Sequence, residues 1–497
     1  MKKKTRNILV MLIVWAAVGI AAAILLRHPP ETTDEDNNSS SSAAEMIPLI
    51  EKKTSDLAKI AIENKEDKYT ILASQKTAEE SGKDPTTEYT LQEMENIPLK
   101  SSALSSAVNT VLPLSAVKEI ETPENLADFG LNDKGEATLM LTYQDGSSDT
   151  LILGQTSPGT TGRYVMKDGK VYIASSVSSD FFSKALNFVD TNVISIPSLQ
   201  TEDAEGNTAE APDELKSLVL SGKNFAVPIE IGINQNNSTG MTPNTLLSPI
   251  EADANSTILG EIMTALKTVV ASSAAEVNAD GTKLAEYGLA EPYARVDYEL
   301  NGEKHSIKIS EVNEDGNHYM VVDDGNIIYE IASSAVSKWA ETDLNALRAS
   351  YIFLANIQDV SKLTFTENGK TTAFETKREK NEEKSTEENV QYDITATLEG
   401  KDVDYEKTYQ PLYSELLSLP ILSSEKVEYD KASVILTAEY AYFEGGKDVI
   451  TFYPVKGQER YAVELNGKYS GILRKTSLDQ LINNLHKAAN YEVLKES

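Results

Sequence analysis

The chain has 497 residues, of which 40% are hydrophobic and 25% are charged. These are ordinary globular proportions, and the length suggests about three domains, because a domain commonly has roughly 100 to 200 residues. A net charge of −31 would repel phosphate backbones, so no nucleic-acid partner is expected, and the absence of cysteine excludes disulfides, thiolate metal sites and cysteine nucleophiles.

The first segment predicts a membrane anchor. Ile8 to Leu26 is a run without a charge, and at about 1.5 Å rise per residue it would span the roughly 30 Å hydrocarbon layer as one transmembrane helix. Residues 1–7 are basic, which predicts a cytoplasmic stub and an extracytoplasmic body on a single-pass cell-membrane protein. A cleaved signal peptide is the less favoured alternative, because the alanines are followed by further bulky apolar residues. Residues 27–46 are polar and aperiodic, which predicts a flexible stalk.

One phrase then occurs twice, as LADFGL at residues 126–131 and as LAEYGL at residues 284–289. Each copy is expected to form a short helix that ends at a left-handed glycine, with the following leucine folded back in a Schellman motif. Thr122 is the expected N-cap of the first helix and Asp280 that of the second. The structural motif residues are Leu126, Gly130, Leu131, Leu284, Gly288 and Leu289.

The phrase belongs to a longer pattern of one hairpin, a helix, two further hairpins and a closing helix. The opening strands begin at Leu57 and again at Leu215, and a degraded third copy without the phrase begins at Val360. Three repeat domains are therefore expected, at residues 47–198, 199–356 and 357–497. The predicted fold class is α+β, with antiparallel sheets covered by helices on one face, behind one N-terminal transmembrane helix. The variable stretches between opening hairpin and helix, such as 377–389, are expected to be solvated loops.

The first copy also carries a family resemblance. The stretch PENLADFGL, followed by YQDGSSDTLILGQTSP and GRYVMKDGKVYIASS, resembles the bacterial family known as domain of unknown function 4340. The resemblance covers most of the first copy and, less tightly, the second. It implies a membrane-anchored extracytoplasmic protein whose relatives are often associated with ABC-type transporters. The family offers no catalytic residues that could be carried over.

Motifs that would carry chemistry are scarce. The sequence contains no HExxH zinc motif, no GxSxG nucleophile elbow and no phosphate-binding GxxxxGK[ST] loop, so no catalytic residue, cofactor or metal is predicted. His305 and His318 could face one another across neighbouring hairpins, but exposed strand positions are the favoured interpretation. Calcium could be bound by Asp323 and Asp324, although ordinary turns explain these acids better.

The favoured function is a non-enzymatic accessory or scaffold protein of the cell envelope, with membrane attachment through Ile8 to Leu26 and ABC transporter subunits as possible partners. One alternative is a module that binds wall polysaccharide or peptide, because many tyrosines lie in predicted strands. A second alternative is a carboxylate-dependent extracytoplasmic hydrolase, which needs only two carboxylates about 5 to 10 Å apart.

Overall fold

The computed structural model describes residues 46–76, 86–121, 123–158, 162–175, 177–202, 206–234, 243–386 and 390–495. Strands and bridges account for 45% of these residues and helices for 19%. The predicted α+β class is therefore wrong, since the described chain is mainly antiparallel β-sheet. Apolar residues at period two and turns closed by glycine dominate the sequence, whereas most of the expected helices are only one to three turns long.

The predicted N-terminal transmembrane helix has no counterpart among the described residues. In the described ranges, no helix combines the length and the apolar character needed to cross a membrane. The segment Ile8 to Leu26 and nearly all of the predicted stalk lie outside the described residues.

The first nine-stranded sheet occupies the N-terminal third of the described chain. Its strands are β1 (Ile47–Ile50), β2 (Leu57–Asn64), β3 (Lys68–Lys76), β4 (Thr86–Leu91), β5 (Leu114–Ile120), β6 (Ala137–Tyr143), β7 (Ser148–Thr156), β8 (Arg163–Lys167) and β9 (Lys170–Ala174).

Three short strands follow: β10 (Asn192–Ser195), β11 (Gln200–Glu202) and β12 (Thr208–Glu210). The second nine-stranded sheet contains β13 (Leu215–Ser221), β14 (Ile229–Ile233), β15 (Asn244–Ser248), β16 (Ala252–Asp253), β18 (Ser273–Glu276), β19 (Ala294–Leu300), β20 (Glu303–Val312), β21 (Asn317–Val322) and β22 (Ile328–Ala332). Strand β17 (Thr268–Val270) pairs with β10 instead.

The third nine-stranded sheet contains β23 (Val360–Glu367), β24 (Lys370–Lys380), β25 (Tyr392–Leu398), β26 (Lys401–Val403), β27 (Ile421–Ser423), β28 (Leu436–Tyr442), β29 (Lys447–Pro454), β30 (Arg460–Leu465) and β31 (Lys468–Arg474). Strand β24 runs into the stretch 377–389, so the first residues of that expected loop are strand.

The three sheets share one strand order. If each repeat's strands are numbered from its opening pair, eight of them lie in the order third, second, first, fifth, sixth, seventh, eighth, fourth. The ninth strand differs: β1 lies beside the fourth strand of the first sheet, whereas β16 and β26 lie beside the third strand of the other two. The chain thus has a repeat-like architecture, and the sequence pattern missed the third and fourth strands of every repeat.

Helices are short and few in the described chain. They are α1 (Ser101–Asn109), α2 (Ser256–Lys267), α3 (Gly281–Glu286), α4 (Ser333–Ala340), α5 (Leu344–Leu347), α6 (Gln410–Leu417) and α7 (Lys475–Ala489), together with a π-helical turn (Tyr405–Tyr409) and four 3₁₀ turns (Thr54–Asp56, Leu126–Phe129, Ser179–Phe182 and Ala185–Phe188). The expected closing helix of the first repeat is thus only a pair of 3₁₀ turns.

Alternate residues of the central strands turn one face of each sheet toward these helices. In β19, for example, Ala294, Val296 and Tyr298 are buried, while the residues between them are partly exposed. The first and second sheets share one continuous hydrophobic core, whereas the core of the third sheet, built from residues 352–488, is separate.

Candidate functional site

Each copy of the repeated phrase, residues 126–131 and 284–289, forms a small plug that packs on the sheet face turned away from the helices. Gly130 (φ 67°) and Gly288 (φ 73°) adopt the left-handed conformation. The next residue donates its backbone N–H to the first leucine of the phrase, over 3.0 Å from Leu131 to Leu126 and over 2.7 Å from Leu289 to Leu284. Both second leucines are buried. This is the geometry of a Schellman helix end, and it explains the repeated phrase structurally.

The two short helices begin differently. Asp280 accepts hydrogen bonds from the backbone N–H groups of Thr282 and Lys283 and so caps α3. The first helix begins at Leu126, with Asn125 as its N-cap, so the expected start near Thr122 is wrong; Thr122 itself lies outside the described residues.

An aromatic pair fastens each plug to its sheet. Phe129 contacts Tyr164 edge to face with ring centroids 4.9 Å apart, and Tyr287 contacts Tyr319 at 4.6 Å. In the second repeat the plug also covers Val321 and Ile328, which form a small hydrophobic cluster apart from the main core. The phrase therefore holds the connection between the fourth and fifth strands against the sheet.

The third repeat carries a different arrangement at this place. Its connection contributes Tyr429 to a small cluster with Tyr453 and Ile472 on the corresponding face. Beside it lies a cleft of about 650 Å³ between the third sheet and the β15–β16 turn of the second. The lining includes Leu247, Glu251, Tyr429, Lys431, Glu464, Lys468 and Tyr469. This cleft is the candidate functional site, because a pocket opens where the third repeat departs from the other two.

Two buried carboxylates line the cleft. Glu464 accepts hydrogen bonds from the Tyr429 hydroxyl at 2.7 Å and the Tyr453 hydroxyl at 3.1 Å, and Lys431 Nζ lies 2.5 Å from its Oε1. Glu251 is paired with Lys468 Nζ at 2.5 Å. The two lysine side chains are 64% exposed, so each carboxylate anchors an ammonium group that faces solvent.

The electrostatics of Glu464 keep it ionised. Burial raises the pKa of this carboxyl, but the hydrogen bonds from Lys431 and the two tyrosines outweigh burial and lower its pKa below the usual value. Burial, together with the neighbouring carboxylate, raises the pKa of Tyr429, and burial raises the pKa of Tyr469 to about 12. The cleft therefore holds a carboxylate, ammonium groups and neutral phenols at neutral pH. A general acid needs a raised pKa, which Glu464 does not have.

A second pocket of about 470 Å³ lies at the same junction and is lined by the start of α2, by α5 and the residues after it, and by β27. Its buried charged residue is Arg348, whose guanidinium donates to the carbonyls of Ala349 (2.9 Å), Tyr351 (3.0 Å) and Ser470. Burial lowers the pKa of Arg348 to about 10. Arg348 thus ties the end of the second repeat to β31 of the third.

Sequence analysis did not identify these residues. Glu464 is an acid inside the apolar run AVEL, and Arg348 follows the apolar stretch that ends the second repeat. A charged residue in such a run is the one signal that could have indicated them. Their partners come from other segments, which no local pattern reveals.

The histidines do not form a site in the described chain. His318 is buried, donates from Nδ1 to the Ser310 carbonyl at 2.7 Å and stacks on Tyr293, so its expected exposed position is wrong. His305 instead forms a hydrogen bond between its Nδ1 and Asp323 Oδ2 at 2.8 Å. Asp324 pairs with Lys308. Among the described residues, no group of three His, Cys, Asp or Glu side chains is placed to hold a metal ion.

These observations define a class: a protein of tandem, mainly antiparallel β-sheet repeats whose sheets are joined by hydrogen bonds and, between the first two, by a shared core. The chain belongs to the family described as domain of unknown function DUF4340, whose model matches residues 90–235 and 245–433, more than half of the chain. Each match begins in the third strand of one sheet and runs into the next repeat, so each includes a junction between sheets. The resemblance to this family is thereby confirmed. No curated protein and no solved structure matches the chain.

Proposed function

We propose that the chain is a non-enzymatic accessory or scaffold protein of the cell envelope, located outside the membrane beside an ABC-type transporter or a related machine. The observation that carries the proposal is the construction of the junctions. A scaffold must hold its units at constant distances and angles, and here consecutive sheets are joined by hydrogen bonds.

The junction between the first and second sheets is a backbone ladder. Strand β10 pairs with β17 in antiparallel fashion, and the flanking N–H of Ile196 donates to the Lys267 carbonyl at 2.9 Å. Because the two sheets also share one hydrophobic core, this junction resists bending.

The junction between the second and third sheets depends on polar contacts. Besides Arg348, the Ile421 N–H donates to the Ser350 carbonyl at 2.8 Å, and the Ser424 N–H donates to Asn345 Oδ1 at 2.8 Å. These bonds set the third sheet relative to the second, which supports a body that presents several surfaces at constant distances.

Affinity purification tests the proposal. The full-length chain and a form that lacks Ile8 to Leu26 would be purified from native membranes in mild detergent and analysed by mass spectrometry. We expect a permease and its ATPase with the full-length chain and neither with the shortened form. Equal recovery from both forms, or recovery of no membrane protein from the full-length chain, would contradict the proposal.

A second candidate function follows from the cleft beside Glu464. Its two tyrosines, two ion pairs and the exposed Leu247 offer the mixture of apolar surface and convergent polar groups that small ligands and polymers use. This favours the wall polysaccharide or peptide alternative. Retention of the chain on purified wall material, weakened in a Tyr469→Ala variant but not in a Tyr164→Ala variant outside the cleft, would support it. Equal retention of both variants would count against it.

A further inference from the structure

The edge of the first sheet that is formed by its third strand differs from the corresponding edge of the other two sheets. In the second sheet β16 covers the third strand, and in the third sheet β26 covers it. In the first sheet the third strand is β4, and within the described residues no strand pairs with its outer edge. Among the described residues, the site that a short strand fills in two repeats is therefore open in the first.

The register identifies the backbone groups that face outward. Gln92 donates its N–H to the Thr70 carbonyl at 2.9 Å, which makes this a hydrogen-bonded position of the β3–β4 ladder. Such positions alternate along an antiparallel pair, so the backbone N–H groups of Thr90, Glu88 and Thr86 point toward β3. The N–H groups of Thr87, Tyr89 and Leu91 consequently point away from β3.

Strand β4 has few of the features that usually prevent an edge strand from pairing with another chain. Its six residues, Thr86–Leu91, include no proline and one charged side chain, Glu88, whose charge is paired with Lys76 at 2.9 Å. By contrast, β1 at the opposite edge is four residues long and contains Pro48. An edge without proline, bulge or unpaired charge is a template for strand addition.

The net charge of the chain indicates which kind of segment could pair with the free edge of β4. A second copy would bring together two bodies of net charge −31. Next to β4 lie the exposed side chains of Glu93 and Glu95, which would attract a basic segment instead.

We propose that β4 receives an extended segment of a partner protein as an added strand, with apolar residues at alternate positions and lysine or arginine between them. Backbone bonds at Thr87 and Tyr89 provide affinity, and the acidic surroundings select the basic side chains. The inference rests on the proposed function, for which it names the mode of partner binding.

The test uses the full-length chain and a blocked, fluorescently labelled peptide of about nine residues that alternates valine with lysine. Binding would be followed by fluorescence anisotropy in the wild type, in Thr87→Pro, which removes an outward N–H, and in Thr87→Val, which keeps it. We expect the proline variant to bind about tenfold more weakly and the valine variant to bind as the wild type does. A glutamate-for-lysine version of the peptide should bind weakly to all three.

Hydrogen exchange of the wild type gives a reading that does not depend on how well the proline variant folds. Added peptide should slow exchange at the Thr87 and Tyr89 amides and leave the amides of Thr86 and Glu88 unchanged. Equal binding to the proline and valine variants, or no protection at Thr87 and Tyr89, would overturn the proposal. So would light scattering that shows a dimer with these amides already protected, since a second copy would then be the occupant.

The two experiments distinguish failure of the strand-addition proposal from failure of the proposed accessory function. Loss of strand addition with the transporter still recovered would leave the accessory function standing, whereas peptide binding without any recovered transporter would contradict the accessory function alone.

Discussion

At the residue scale, two buried charges, Glu464 in the third repeat and Arg348 at the end of the second, are stabilised by different means. Glu464 is surrounded by an ammonium group and two phenols, so its charge is balanced within the cleft. Arg348 donates to three backbone carbonyls. Because a buried polar group without its partner is costly, both positions should be sensitive to substitution.

Arg348→Met should lower the free energy of unfolding by about 3 kcal/mol, because the carbonyls of Tyr351 and Ser470 would lose their donor in a buried setting. Urea denaturation followed by circular dichroism measures the change. The exposed Arg474→Met is the matched control and should change stability by less than about 0.5 kcal/mol. If the two variants lost equal stability, Arg348 would not join the repeats in the way described.

Glu464→Gln should show a pH-dependent effect. The folded protein lowers the pKa of Glu464 below its ordinary value of 4.5, so the stabilisation is complete above that pH and is lost as pH falls through the lower folded-state pKa. Wild type should therefore be more stable than the variant at pH 7, and the difference should shrink in acid. Denaturant unfolding across about pH 3 to 7 measures it, and a difference independent of pH would contradict the assigned charge.

At the element scale, the short phrase helices are defined by their ends more than by their length. Four residues of 3₁₀ turn in the first repeat and six of α-helix in the second have little intrinsic stability. A left-handed glycine, a backbone bond from the next leucine and an aromatic contact to the sheet determine their position.

Gly288→Ala should destabilise the second repeat by about 1 kcal/mol, because alanine is strained at positive φ and the new methyl group meets only Ser310 Cβ at 3.5 Å. Gly130→Ala should have a larger effect, since its Cβ would lie 2.9 Å from the backbone nitrogen of Gln155. Thermal melting of both variants tests this order. Unchanged melting temperatures would show that the glycine stops are dispensable.

At the scale of the whole molecule, the hydrophobic cores divide the three sheets unequally. The first two sheets share one core and a backbone ladder, whereas the third has its own core and is attached through polar contacts. We therefore expect two calorimetric transitions, one for the first two sheets together and one for the third. A single transition with equal calorimetric and van't Hoff enthalpies would rule out this division.

Gly471→Ala should disturb the second junction specifically. Gly471 has φ 134°, and an added Cβ would lie 2.6 Å from Arg348 Nη1 and 2.8 Å from the Ser423 carbonyl. We expect the transition of the third sheet to move to lower temperature while the other stays, and the exposed turn variant Gly457→Ala, whose new methyl group meets no neighbour, to leave the separation between the transitions intact. Calorimetry of both variants checks this expectation.

Local sequence patterns predicted the hairpins, because alternation of apolar residues and an Asn-Gly or Asp-Gly turn act within about 18 residues. They also identified the family and the left-handed glycines. They did not predict the third and fourth strands, such as β4 and β5, since these polar or short segments become strands only when a neighbouring sheet edge accepts their backbone bonds.

The sequence by itself determined the repeated units of this protein and the turns inside them. Tertiary structure decided the fold class, the strand order, the cleft at Glu464 and the buried position of Arg348. The physical reason is distance along the chain: Glu464 and Tyr429 are 35 positions apart, and Arg348 and Ser470 are 122 positions apart. Burial and pairing of such groups follow from the packing of whole sheets, which local periodicity does not specify.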